Sequence, residues 1–168
     1  MAGNYAPPKG DAAMNYRITG LSQAPFRHLF GLTDDALAAH SVKRYTPAAG
    51  EAFPDRIALS DAPVGQSVLL VNYVHQPAYT PYRASHAIFV REDTYDRFDA
   101  INQIPPMLLT RVISLRAFGV DHMLVDADLA DGAALEAPIQ HLLANPDTAY
   151  IQAHFAKQGC YAARIERV

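Results

Sequence analysis

Between Tyr150 and Glu166 the side chains alternate so regularly that one pairing of two strands accounts for all of them. Tyr150, Gln152 and His154 interleave with Ile151, Ala153 and Phe155, and Cys160, Ala162, Arg164 and Glu166 interleave with Tyr161, Ala163 and Ile165. A strand sends successive side chains to opposite faces, so each run predicts one polar and one apolar side. A three-residue turn, Lys157-Gln158-Gly159 with Gly159 left-handed, pairs Ala156 with Cys160, His154 with Ala162 and Gln152 with Arg164. Gln152, His154, Cys160 and Arg164 then become close neighbours on one face. A two-residue turn scrambles both faces, so the pattern itself selects the register.

A second informative stretch runs from Asn72 to His86. It holds His75, His86, Arg83, Tyr73, Tyr79, Tyr82, Pro77 and Pro81 between two apolar runs, Val68–Val71 and Ala87–Val90. A stiff polar loop held between buried strands is a favoured place for binding groups. Val68 to Val74 is apolar on both faces apart from Asn72, which predicts a central strand.

Elsewhere, Tyr16 to Thr19 reads as a first strand closed by Gly20. Phe26, Leu29 and Phe30 fall at helical spacing, and Thr33 before Asp34-Asp35 predicts a capped helix through Ala39. Val42 to Thr46 and Arg56 to Leu59 read as strands, the latter joined to Ser67–His75 by a turn-rich link. His86 to Arg91 is the next strand. Thr94 is expected to cap a short helix carrying Tyr95, Phe98 and Ile101, and Pro105-Pro106 to open another through Thr110. Val112–Phe118 and Met123–Leu129 predict a hairpin in which Arg116 lies opposite or diagonal to Asp126, with Ser114 and Asp128 on that face. Leu135, Ile139, Leu142 and Leu143 form a helical stripe, kinked or begun at Pro138. Hairpin-length links favour an α+β domain: a largely antiparallel sheet of six or seven strands with short helices packed on one side. It spans residues 16–168 after a flexible tail, residues 1–15.

A chain of 168 residues can bury a sizeable core. Its net charge of -3, with no basic run, argues against a nucleic-acid partner. No apolar run is long enough for a membrane span, and Met1–Asn15 lacks the apolar core of a secretory leader. One cysteine excludes an internal disulfide and points to the cytoplasm. Eleven arginines against three lysines supply planar donors suited to anions.

Several strings resemble a family of small bacterial proteins known as domain of unknown function 1203. They are Asn72-Tyr73-Val74-His75-Gln76-Pro77-Ala78, Pro81-Tyr82-Arg83-Ala84-Ser85, Ile88-Phe89-Val90, Ser114-Leu115-Arg116-Ala117, Asp126-Ala127-Asp128 and Lys157–Arg164. The resemblance runs from about Tyr16 to Arg167 and carries over no activity, cofactor or catalytic residue.

The candidate chemistry follows from the residues. His75, His86 and His154 lack the close spacing of a metal motif, so no metal site is expected. Cys160 is a candidate nucleophile with His154 as its base, Arg164 favouring thiolate; the alternative is a small buried hydrophobe. Asp126 and Asp128 are expected to be structural, Asp126 pairing with Arg116. Arg83, flanked by prolines and by Tyr82, Ser85 and His86, is the strongest single candidate for holding a carboxylate or phosphate. Two function classes result. One is a pocket lined by His75, Arg83, His86, His154, Cys160 and Arg164 that binds a small anionic ligand, with or without catalysis. The other is an interaction module whose tyrosine-rich loop supports a homodimer. A concave site favours the first and a flat aromatic face the second.

Overall fold

A computed structural model of the chain describes residues 14–93 and 95–168. Residues 1–13, most of the expected tail, and Thr94, the expected cap, lie outside the described residues. Met14, expected in that tail, is pinned by Gln140, which bonds both its N–H and its carbonyl.

The fold is α+β with two antiparallel sheets. The larger has six strands in the order β5-β1-β9-β8-β6-β7. These are β1 (Tyr16–Thr19), β5 (Asp99–Ile101), β6 (Val112–Phe118), β7 (Leu124–Asp131), β8 (Tyr150–Phe155) and β9 (Tyr161–Arg167). The smaller runs β2-β3-β4 and comprises Lys43–Tyr45, Val68–Gln76 and Ala84–Arg91. The expected antiparallel sheet of six or seven strands is present with six, and β2, β3 and β4 form a second sheet of their own. β3 is central, as its two apolar faces require.

The helices are short: α1 (Asp34–Ala39), α2 (Pro106–Leu109) and α3 (Glu136–Ala144). Thr33 caps α1, its hydroxyl accepting from the Ala36 N–H. Pro138 falls in the first turn of α3, where its missing N–H has no helical acceptor to serve. Among the described residues, no helix is long and apolar enough to cross a membrane.

Two hydrophobic cores result. In the first, α2 and α3 cover one face of the six-stranded sheet, where Ile18, Leu115, Ile139, Leu142, Ile151 and Ile165 are all buried. Burying each such side chain contributes roughly 1.5–3 kcal/mol. In the second, Phe26, Leu29 and Leu37 pack on Leu69, Val71, Ile88 and Val90 of the small sheet.

The two cores explain two departures from the sequence expectations. Arg56–Leu59 is no strand but a strap between the cores, Ile57 entering the second and Leu59 the first. The Asp55 carboxylate accepts the Ala58 N–H at 2.6 Å, a local turn that replaces a ladder bond. Tyr95 and Phe98 likewise pack on the second and first cores. Their spacing of three therefore reflects an extended segment between two cores and not one helix face. It leads into β5, which pairs with β1.

Candidate functional site

Three β-bulges, one in the three-stranded sheet and two in the six-stranded sheet, shape the region where the sheets meet, and each moves a side chain from where simple alternation puts it. In β3 the register against β4 shifts between Val74 and Gln76. Two consecutive residues, His75 and Gln76, thereby both reach β8. The His75 Nδ1 lies 2.9 Å from the Gln152 Oε1, and the Gln76 Nε2 donates to the Tyr150 hydroxyl at 2.8 Å.

In the β6–β7 hairpin the turn sets Phe118 against Leu124, but the next pair is Ala117 with Asp126. The extra residue, Val125, shifts every later pair. Arg116 therefore lies opposite Ala127, and the expected Arg116–Asp126 pair does not form. Asp126 and Asp128 instead accept the N–H groups of Ala127 and Leu129 along the edge strand. Among the described residues, the Arg116 guanidinium makes no hydrogen bond and no ion pair, although the side chain is partly buried. Burial pushes its pKa down from the ordinary arginine value.

The C-terminal hairpin contains the third bulge. Gln152 pairs with Arg164 and Ala153 with Ala163 as expected, but His154 pairs with Tyr161. The turn closes on Phe155, whose N–H donates to the Cys160 carbonyl, leaving four residues in the loop with Gly159 at φ 78°. The chain thus turns one residue wider than expected and recovers the register at Ala162. Tyr161 takes the place beside His154, and Cys160 turns to the Phe155 side of the sheet. The expected neighbourhood of His154 and Cys160 is corrected accordingly. Cys160 is 6% exposed, and its thiol receives a hydrogen bond from the buried Arg56 guanidinium at 3.1 Å. Arg56 also donates to the carbonyls of Tyr161 and Pro54 and lies over the Phe155 ring.

What these shifts assemble is a cleft of about 360 Å³ between the β3–β4 connection and β6–β8. Its polar lining is His75, Gln76, Arg83, Arg116 and Gln152; its apolar lining is Pro81, Tyr82, Ala84, Phe118 and Leu124. Among the described residues, no carboxylate lines it. Tyr82, Phe118 and Tyr150 form an aromatic ladder, with successive ring centroids 6.0 and 5.5 Å apart.

Gln152 organises the polar wall. It is 2% exposed, and its Nε2 donates to the His75 carbonyl at 3.0 Å, which fixes the orientation of the amide. Its Oε1 therefore faces His75, and the His75 Nδ1 must carry the proton. The same oxygen lies 3.1 Å from the His154 Nε2, whose other ring nitrogen is 3.0 Å from the Gly159 carbonyl. Burial first, then the nearby Arg116 charge, pushes His154 down to about 3. Its ring is neutral, with one N–H for two facing oxygens. His75 is lowered too, chiefly by burial and against the bond to Gln152.

Of the residues singled out from the sequence, His75 and Arg83 line the cleft. Arg83 is exposed and donates to the Pro77 carbonyl at 3.1 Å. His154 stands behind Gln152, whose Oε1 it shares with His75, and the two imidazole rings meet edge to face with centroids 4.9 Å apart. Arg164 lies 3.9 Å over the Tyr150 ring and pairs with Glu166, away from the cleft lining. His86 faces its own strand, its Nδ1 beside the Ala87 carbonyl. Arg116, Gln76 and Phe118 belong to the cleft and were not singled out as site residues. No local signal marks them, because all three depend on bulges. Among the described residues there is no group of three or more His, Cys, Asp or Glu able to hold a metal ion.

Fold and cleft together define a two-sheet α+β protein with a cationic, aromatic-walled cleft at the junction of its sheets. A family described as protein of unknown function (DUF1203) matches residues 52–167, a span holding every cleft residue, and the chain belongs to that family. No curated protein and no solved structure matches the chain.

Proposed function

We propose that the cleft binds a small anionic ligand. The observation that carries this reading is Arg116. It is a partly buried guanidinium with no carboxylate, and no hydrogen-bond partner among the described residues, on a cleft wall that also holds Arg83. A buried charge without a partner is costly, and a bound anion supplies the missing partner. Guanidinium forks suit carboxylate or phosphate oxygens, and the two Gln152–His75 hydrogen bonds hold the wall in place before binding.

The test is thermal unfolding with sulfate, phosphate and small carboxylates, in the wild type and in Arg116→Met. A ligand at a hundred times its Kd stabilises by about 2.7 kcal/mol, or a rise of roughly 5–10 °C in Tm. The wild type should show such a rise and the variant should fold but show none. A wild type that responds to no anion overturns the proposal.

A second reading, an interaction module, is supported by Tyr79, which is 98% exposed in the β3–β4 connection. It requires a self-associated protein in sedimentation, with Tyr79→Ser dissociating it. A monomeric wild type removes the homodimer.

A further inference from the structure

The cleft contains an acceptor as well as cations, and this narrows the ligand. With Nδ1 protonated toward Gln152, the neutral His75 ring carries its lone pair on Nε2. That atom has no partner among the described residues. It is also not sealed in, since the buried side-chain polar atom left without a partner there is the Thr148 hydroxyl. His75 thus offers an open acceptor in a wall whose charged groups, Arg83 and Arg116, only donate.

A bare carboxylate satisfies the guanidiniums and leaves Nε2 unused. A phosphate leaves the Phe118, Leu124 and Tyr82 surfaces uncovered. A ligand that matches the whole cleft brings an anion, a hydrogen-bond donor and an apolar body. The donor is better a hydroxyl than an ammonium, because among the described residues no Asp or Glu lines the cleft to offset an ammonium beside two guanidiniums. The volume, near the lower end of the roughly 300–1,000 Å³ of ligand sites, limits the body to about one ring or a branched chain.

We propose that the ligand is a small hydroxycarboxylic acid with an apolar substituent, its hydroxyl donating to the His75 Nε2, its carboxylate on Arg116 and Arg83, and its apolar group against Phe118 and Leu124. This rests on the anion-binding reading of the same cleft. Specificity comes from the acceptor, since a buried acceptor left unpaired is costly.

Calorimetric titration of the wild-type protein with four probes tests it: 3-phenyllactate, its O-methyl ether, 3-phenylpropionate and phenylalanine. The hydroxy acid should bind at least tenfold tighter than the other three, because the ether and phenylpropionate lack the donor and phenylalanine brings the ammonium. His75→Leu, checked for fold by circular dichroism, should bind phenyllactate and phenylpropionate equally. The ether makes the same comparison without any substitution, should that variant not fold. If phenyllactate, its ether and phenylpropionate bind alike, or phosphate binds while they do not, the inference fails and the anion reading stands. If no anion binds, both fail.

Discussion

His154 offers the sharpest test of how this polar wall is built. The side chain is fully buried, flanked by Gln152 and Gly159, with the Arg116 charge nearby. Its pKa drops from the ordinary 6.5 to about 3. Each pKa unit corresponds to about 1.4 kcal/mol, so the whole difference is worth about 5 kcal/mol. The sign follows from proton counting. Below pH 6.5 the unfolded chain binds a proton that the folded ring refuses, so stability is complete above that pH and is lost as pH falls toward 3. At pH 5 the loss is about 2 kcal/mol, a sizeable part of the 5–15 kcal/mol typical of a domain. His75, also depressed, adds to the loss in the same direction.

Two assays check this. In the native protein the His154 ring C–H resonance should not titrate between pH 7.5 and 5. Urea unfolding should show a stability loss of about 2 kcal/mol or more from pH 7 to 5. In His154→Asn, whose amide nitrogen can still serve the Gly159 carbonyl, that loss should shrink by about 2 kcal/mol. A native resonance titrating near pH 6.5, or an unchanged slope in the variant, would refute the reasoning.

Three further outcomes are expected. A Cβ on Gly132 would lie 1.8 Å from the Leu108 carbonyl oxygen, so Gly132→Ala should cost about 3 kcal/mol or more in urea unfolding, and wild-type stability would contradict that packing. The Thr148 hydroxyl is buried without a partner among the described residues, so Thr148→Val should be neutral or stabilise by about 1 kcal/mol, whereas a clear loss would reveal an unrecognised partner. Cys160 should react with iodoacetamide slowly in the native protein and quickly in urea, and fast native labelling would contradict its burial against Arg56.

What could be read from the residues alone was local. Alternation placed β1, β8 and β9, an apolar run on both faces placed β3, Thr33 capped α1, and Gly159 took the left-handed turn position, because each depends on neighbours a few residues away. The α+β class follows from the same signals. Tertiary structure decided which side chains meet. Arg56–Leu59 alternates like a strand, yet its side chains serve two cores that no local pattern announces. Most of the candidate site turned on bulges. One extra residue at Val125 left Arg116 opposite Ala127 instead of beside Asp126, another at Ala162 exchanged Cys160 for Tyr161 beside His154, and a third turned both His75 and Gln76 toward β8. Strand periodicity is two, so a single inserted residue reverses every later assignment of face. Whether a residue is inserted depends on the packing of sheet against sheet, and that is settled only when the whole chain has folded.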